Sequence, residues 1–123
     1  MAILQAWGGQ PAVLATAQSG NFPTDIADRG SLQGPLALLI DTTAGATPTV
    51  TANIQGSIDG TNWFNVEYSL VATPSTKVVA AITITTTVIT TYLVSVGYGW
   101  RYLRVNFTAN TNVTINSVVA LAH

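Results

Sequence analysis

The side chains able to carry chemistry in this chain are few and scattered. His123 is the sole histidine and the last residue of the sequence, so no serine–histidine–aspartate relay can be built around it. The carboxylates are Asp25, Asp28, Asp41, Asp59 and Glu67, and no two share a spacing that pairs a general acid with a general base. Asp59-Gly-Thr-Asn62 could offer oxygens to calcium, but a full shell needs several more donors, and the segment reads more simply as a turn. Gly97-Tyr-Gly-Trp100 lacks the helix pattern that would make its glycines a phosphate loop. With no cysteine there is no thiol nucleophile, disulfide or thiolate metal site. The expectation is a protein that is not an enzyme, with no catalytic site, no cofactor and no metal.

The remaining chemistry is recognition. Trp63, Tyr92, Tyr98, Trp100 and Tyr102 could form a stacking platform for a sugar. If Leu103, Val105 and Phe107 face a core, the strand period of two puts Trp100, Tyr102 and Arg104 on the opposite face with Asn106. A Trp-Tyr-Arg row of this kind is what protein interfaces use as anchors. For Trp63, packing within its own hairpin is an equal reading.

Composition narrows the partners. The chain has 123 residues, enough for one domain with a single core. Only 7% of residues are charged, and five acids against four bases leave a net charge of −1. No electrostatic field steers such a chain to nucleic acid or to anionic lipid, so neither is expected as a partner. Thr, Ser, Asn and Gln must supply the polar surface, and a surface this close to neutral suits a protein packed against neighbours better than a free monomer. No secretory leader is expected, because residues 1–21 start without a basic residue and Gly8-Gly-Gln-Pro11 interrupts the apolar run.

Between Lys77 and Arg101 no charged residue occurs, a length that could span a bilayer. Its threonines and the even spacing of Ile82, Ile84, Val88, Tyr92, Val94 and Val96 argue for strands instead. Uncharged and without proline, this stretch would aggregate as an open edge and should be covered.

Two unequal parts follow. Residues 1–35 carry Gly8, Gly9, Pro11, Gly20, Pro23, Gly30, Gly34 and Pro35, breakers that leave no room for a long element. The segment is nonetheless too apolar for a solvated tail. It is expected as an extended arm whose Leu4, Trp7, Phe22 and Ile26 pin it either on its own sandwich or on a neighbouring subunit. Residues 36–123 carry strand signals in regular order. Residues 36–41 form an apolar run ended by Thr-Thr-Ala-Gly-Ala, and residues 49–57 alternate with Val50, Ala52 and Ile54 inward. Asp59-Gly60 supplies the positive φ of a tight hairpin, and residues 62–69 return. The Thr-rich block reads as two strands broken near 85–87 or 89–91. Residues 101–108, a turn at 109–112 and a last strand at 113–122 complete an all-β, antiparallel β-sandwich of seven or eight strands.

Gly56-Ser-Ile-Asp-Gly-Thr-Asn-Trp63 followed by Arg101-Tyr-Leu-Arg-Val105 resembles the paired motif of discoidin-type (F5/8 type C) sandwiches. It is still more similar to small tailed-phage virion proteins, in which such a hairpin precedes an RYLRVNxTANT-like strand and a short apolar C-terminus. The similarity covers about residues 50–121 and leaves the arm outside. It implies a jelly-roll or discoidin-like sandwich. The function it implies is that of a structural protein of the virion, assembled in the host cytoplasm. The expected role is capsid decoration or cement, as a homo-oligomer, a trimer foremost, bound to the major capsid or other virion proteins. A carbohydrate-binding module of a phage fibre or secreted protein is the alternative.

Overall fold

Two long strands organise the chain. In the computed structural model, which describes residues 2–7, 10–30, 35–94 and 100–122, β5 (Leu36–Ser57) and β10 (Tyr102–Ala122) pair antiparallel from Tyr102↔Ser57 to Ala122↔Leu36. The other strands are β1 (Ile3–Gln5), β2 (Ala12–Gln18), β3 (Phe22–Pro23), β4 (Ile26–Asp28), β6 (Phe64–Asn65), β7 (Tyr68–Leu70), β8 (Ile82–Ile84) and β9 (Val88–Val94). Strands β2, β3 and β4 flank β10, while β6, β8 and β9 flank β5. There is no helix among the described residues, and the fold is all-β. The sheet is mixed rather than wholly antiparallel, because β1 joins β4 in parallel.

The breaks expected at residues 42–46 and 109–112 do not end their strands. They are corners across which pairing continues, with register shifts between Thr108 and Val113. Thr47, Ala109 and Asn112 take positive φ of 43°, 51° and 55°. The flanking runs turn on the same line, at Ala17 near the end of β2 and Gly20 between β2 and β3, and at residues 85–87 between β8 and β9. Side chains replace the ladder bonds lost there. Asn110 Nδ2 donates to Gly20 O at 3.0 Å, Asn112 Nδ2 to Ala46 O at 2.7 Å, and the Ala44 N–H to Thr87 Oγ1 at 2.9 Å. The turn chemistry of the sequence is thus used to fold one sheet upon itself.

Each half presents its inner face to one shared core. Leu36, Leu38 and Ile40 of β5 and Ile115, Val118 and Ala120 of β10 lie in the first half, Val50, Ala52 and Ile54 with Leu103, Val105 and Phe107 in the second, and all join a single cluster. The two layers of the expected sandwich are therefore two halves of one continuous sheet. The Thr-rich stretch supplies β8 and β9, and among the described residues no helix is long and apolar enough to cross a membrane.

The N-terminal segment corrects the expected arm. It is extended, but it is woven into the sheet: β2 pairs with the second half of β10, β3 and β4 with the first. Thr24 bridges β3 and β4 by accepting the Val105 N–H on its Oγ1 at 3.0 Å and donating its own N–H to Val105 O at 2.9 Å. The Ala122 N–H donates to Ala6 O and ties the end of β10 to β1. Ile26 is buried at 6% exposure; Leu4 and Phe22 are half-buried against the core, with the Phe22 ring centroid 5.2 Å from that of Phe107. Trp7 is half-buried over Gly30, where a Cβ would lie 3.2 Å from the indole. These residues pack in cis because β10 otherwise has an unpaired edge.

Removing residues 1–30 would strip β1–β4 from β10 and expose Leu103, Val105 and Phe107. The truncated chain is expected to be unfolded or aggregated. Loss of the cooperative melt seen for the full chain, followed by circular dichroism, checks this.

Candidate functional site

The second half of the sheet carries a polar outer face. Alternation along β5 and β10 turns Thr51, Asn53 and Gln55 outward beside Thr108, Asn106 and Arg104, in cross-strand register. The Arg104 guanidinium lies 4.4 Å from the centre of the Trp63 ring, and its Nε donates to Gln55 Oε1 at 2.9 Å. Stacking of this type favours arginine, whose flat cation is weakly hydrated. Tyr102 stands in the same outward row, and its ring would sit 3.8 Å from a Cβ added at Gly60. Tyr102 and Arg104 thus share the outward face expected of them.

Trp100 does not. It is fully buried, in the core cluster, and this corrects its placement in the outward row. The period of two holds only along paired strand, and β10 begins at Tyr102. Just before it the Arg101 N–H donates to Ser57 O at 3.0 Å, and Trp100 drops inward beside Gly56. A Cβ at Gly56 would meet the Trp100 ring at 3.1 Å and Val66 Cγ1 at 2.8 Å, so the indole needs a glycine there. Arg29 covers the indole from the other side, 5.0 Å from the ring centre, with its Nε donating to Trp100 O at 2.9 Å. Burial pushes the Arg29 pKa down. Of the other proposed platform members, Tyr92 is buried against Tyr68, and Tyr98 lies outside the described residues, as do Gly8, Gly9, Gly34, Gly97, Gly99 and His123.

Next to this face, Arg101 grips Asp28 with two bonds, Nε to Oδ1 at 2.9 Å and Nη2 to Oδ2 at 3.1 Å. Asp28 Oδ1 also accepts the Gly30 N–H at 2.8 Å. Desolvation acts to raise the Asp28 pKa, but the Arg101 bonds, the Gly30 N–H and the Arg101 charge outweigh it and hold the carboxyl below its ordinary value.

The Asp-Gly hairpin is a longer loop than a two-residue turn. Strand β5 ends at Ser57 and its return pairing begins at Phe64, opposite Gly56. Gly60 has the expected positive φ, 77°. Ser57 shares the outward row with Gln55 and Tyr102 but is buried beneath the loop, its Oγ donating to Asp59 Oδ1 at 2.9 Å and accepting the Gly60 N–H at 2.9 Å. Asp59 Oδ1 further accepts the N–H groups of Thr61 and Asn62, each at 2.9 Å, and Oδ2 accepts Asn62 Nδ2 at 2.7 Å. These donors, the Asn62 N–H first, hold the carboxyl well below the usual carboxylate range. Both oxygens are engaged in shaping the loop. Asp25 and Asp41 lie apart from it, receiving the Ala2 N–H and Asn116 Nδ2. Among the described residues no three acidic or histidine side chains gather as metal ligands.

The first half of the sheet has an outer face of the opposite character, which sequence reasoning missed. Val13, Val119, Leu39 and Thr91 lie side by side across β2, β10, β5 and β9. The next row is Leu121, Ala37 and Leu93, and on the other side Asp41 neighbours Ile89. Val13, Ile89 and Leu121 are 49%, 64% and 38% exposed. The signal was hidden in runs such as residues 36–40 and 118–122, which are apolar at every position and show no period.

No protein-family model matches the chain, and no curated protein matches it. Among solved structures it is similar to the crystal structure of the SPBc2 prophage-derived protein YomS, with 11% sequence identity, a TM-score of 0.61, and coverage of 90% of this chain and 91% of that one. At that identity the likeness is one of fold.

Gly60→Val forces a β-branched residue into the left-handed region and is expected to cost about 1 kcal/mol or more, read from the denaturation midpoint. Asp59 has a folded pKa below its unfolded value of 3.8, so its contribution is present above that value and is lost as pH falls below it. The melting temperature should therefore drop between about pH 4 and pH 2. Asp59→Asn should lower it at pH 7 and flatten that drop, Asp28 supplying what remains; thermal melts across pH check this.

Proposed function

We propose that this protein is a structural component of a tailed-phage virion, a capsid decoration or cement protein held by contacts with copies of itself and with the major capsid or other virion proteins. The observation that carries the reading is the fold likeness to a prophage-derived protein over nine-tenths of both chains. Two features of the surface support it. The chain is nearly uncharged, so nothing repels the next subunit. Val13, Ile89 and Leu121 are exposed on one face of the sheet. A protein with these properties acts by number of contacts: each copy binds the assembled state, and binding stabilises that state by linkage. Affinity then comes from buried apolar area and hydrogen bonds, with weak dependence on salt.

The test is to prepare particles without this protein and heat them. They are expected to rupture at lower temperature than complete particles, and adding the protein back should restore them at low and high salt alike. Equal heat resistance with and without it, together with binding to a glycan array, would replace this reading by the carbohydrate-binding module.

A further inference from the structure

The polar outer face holds a cation with an unused hydrogen-bonding edge. Arg101, beside that face, spends its guanidinium on Asp28 through two bonds. Arg104, on it, has no carboxylate partner among the described residues. Its Nε is taken by Gln55 Oε1 at 2.9 Å and its flat side by the Trp63 ring, whose centre lies 4.4 Å away, which leaves both Nη groups without an acceptor. Partial burial lowers the Arg104 pKa, as it does for a cation whose lost hydration no anion replaces. The side chain is thus held in place ahead of any ligand, and the fork of donors that fits a carboxylate is unspent.

The neighbours of Arg104 indicate what carries that carboxylate. Along the ladder from it stand Asn53 opposite Asn106 and then Thr51 opposite Thr108, with Tyr102 on the other side. None of these five side chains hydrogen-bonds another described residue. The amides of Asn62, Asn110, Asn112 and Asn116, away from this ladder, are all engaged. Amides and hydroxyls donate and accept alike, which matches the hydroxyls of a sugar. A nucleic-acid strand would need a row of cations, and this face offers Arg104 alone. A protein partner would need an apolar centre to dry, and the outward positions of both strands here are polar.

We propose that this face binds an acidic saccharide, the Arg104 guanidinium receiving a uronate carboxylate end-on through its two Nη groups while Asn53, Asn106 and Tyr102 bond the ring hydroxyls. Gln55 and Trp63 are positioning residues that fix the plane of the guanidinium. Charge does the selecting: bonds from a guanidinium to a carboxylate are shorter and stronger than those to a neutral oxygen, so the acid binds ahead of its neutral counterpart.

The site goes beyond the proposed virion role, and the two fail separately. Titration of the purified full chain with trigalacturonic acid, followed by magnetic resonance, should shift the Arg104 Nε–H and Trp63 indole N–H signals to saturation. The methyl ester of the same trisaccharide, which keeps the hydroxyls and loses the charges, should bind about tenfold more weakly. Added salt should weaken the acid and spare the ester. Arg104→Gln should lose the preference for the acid, and Lys77→Gln, which removes an exposed cation elsewhere, should keep it. If Arg104→Gln fails to fold by circular dichroism, the two signals of the unsubstituted protein decide. Unmoved signals, equal binding of acid and ester, or an equal loss in Lys77→Gln overturns the proposal. A triglutamate peptide that binds as tightly as trigalacturonic acid also overturns it, assigning Arg104 to a protein carboxylate. Heat protection of particles by a protein that binds no uronate removes this site and leaves the proposed function standing; uronate binding by a protein that protects nothing does the reverse.

Discussion

The antiparallel pairing of β5 with β10 is the constraint on which the other elements depend. Strands β2, β3, β4, β6, β8 and β9 all attach directly to one of these two, and β1 and β7 attach through β4 and β9. The partners are far apart in sequence at every point of the ladder, so the chain must close long loops before either half of the core can form. Once formed, the pair carries both inner faces at once. Bending it at a common line brings those faces together, which a pair of separate sheets would have to achieve by docking.

That bend explains how the polar composition is spent. A sheet folded across four neighbouring runs loses backbone hydrogen bonds along the crease, and the N–H and C=O groups freed there take other partners. Asn110, Asn112, Thr42 and Thr87 supply them. Short amides and hydroxyls suit the task because they reach the backbone of an adjacent strand without carrying charge into the crease. The few cations are used in a similar way. Arg29, Arg101 and Arg104 lie over Trp100, Tyr102 and Trp63, and each also bonds an oxygen acceptor. Guanidinium groups here are packing elements, and with five acids against four bases the chain has little net charge to draw a partner from a distance.

The molecule that results is two-sided. One outer face is a lattice of threonine, asparagine and glutamine side chains with the Arg104–Trp63 stack and the Asp59 loop beside it. The other carries Val13, Leu39, Ile89, Val119 and Leu121, with Asp41 and Thr91 in the same rows. The fold it shares with a prophage-derived protein at 11% identity retains the architecture while leaving surface chemistry free to differ.

By itself the sequence determined the alternating stretches of β5 and β10 and their inner faces. Val50, Ala52 and Ile54, and Leu103, Val105 and Phe107, alternate with polar residues, and a period of two can be satisfied only by a half-buried strand. Gly60 and the residues of the crease were also legible as places where the backbone must turn. Three matters were decided by tertiary structure. Whether a turn ends a strand or bends it depends on whether pairing resumes beyond it, which lies in the partner strand and not in the local residues. Whether residues 2–30 reach outward or pack at home depends on the open edge of β10, far away in sequence. Trp100 faces inward because the phase of alternation starts at Tyr102, where the ladder starts, and because Gly56 leaves room for an indole. The apolar outer face escaped for a related reason: where every residue of a strand is apolar, the sequence holds no phase, and only the position of the core says which side is left open.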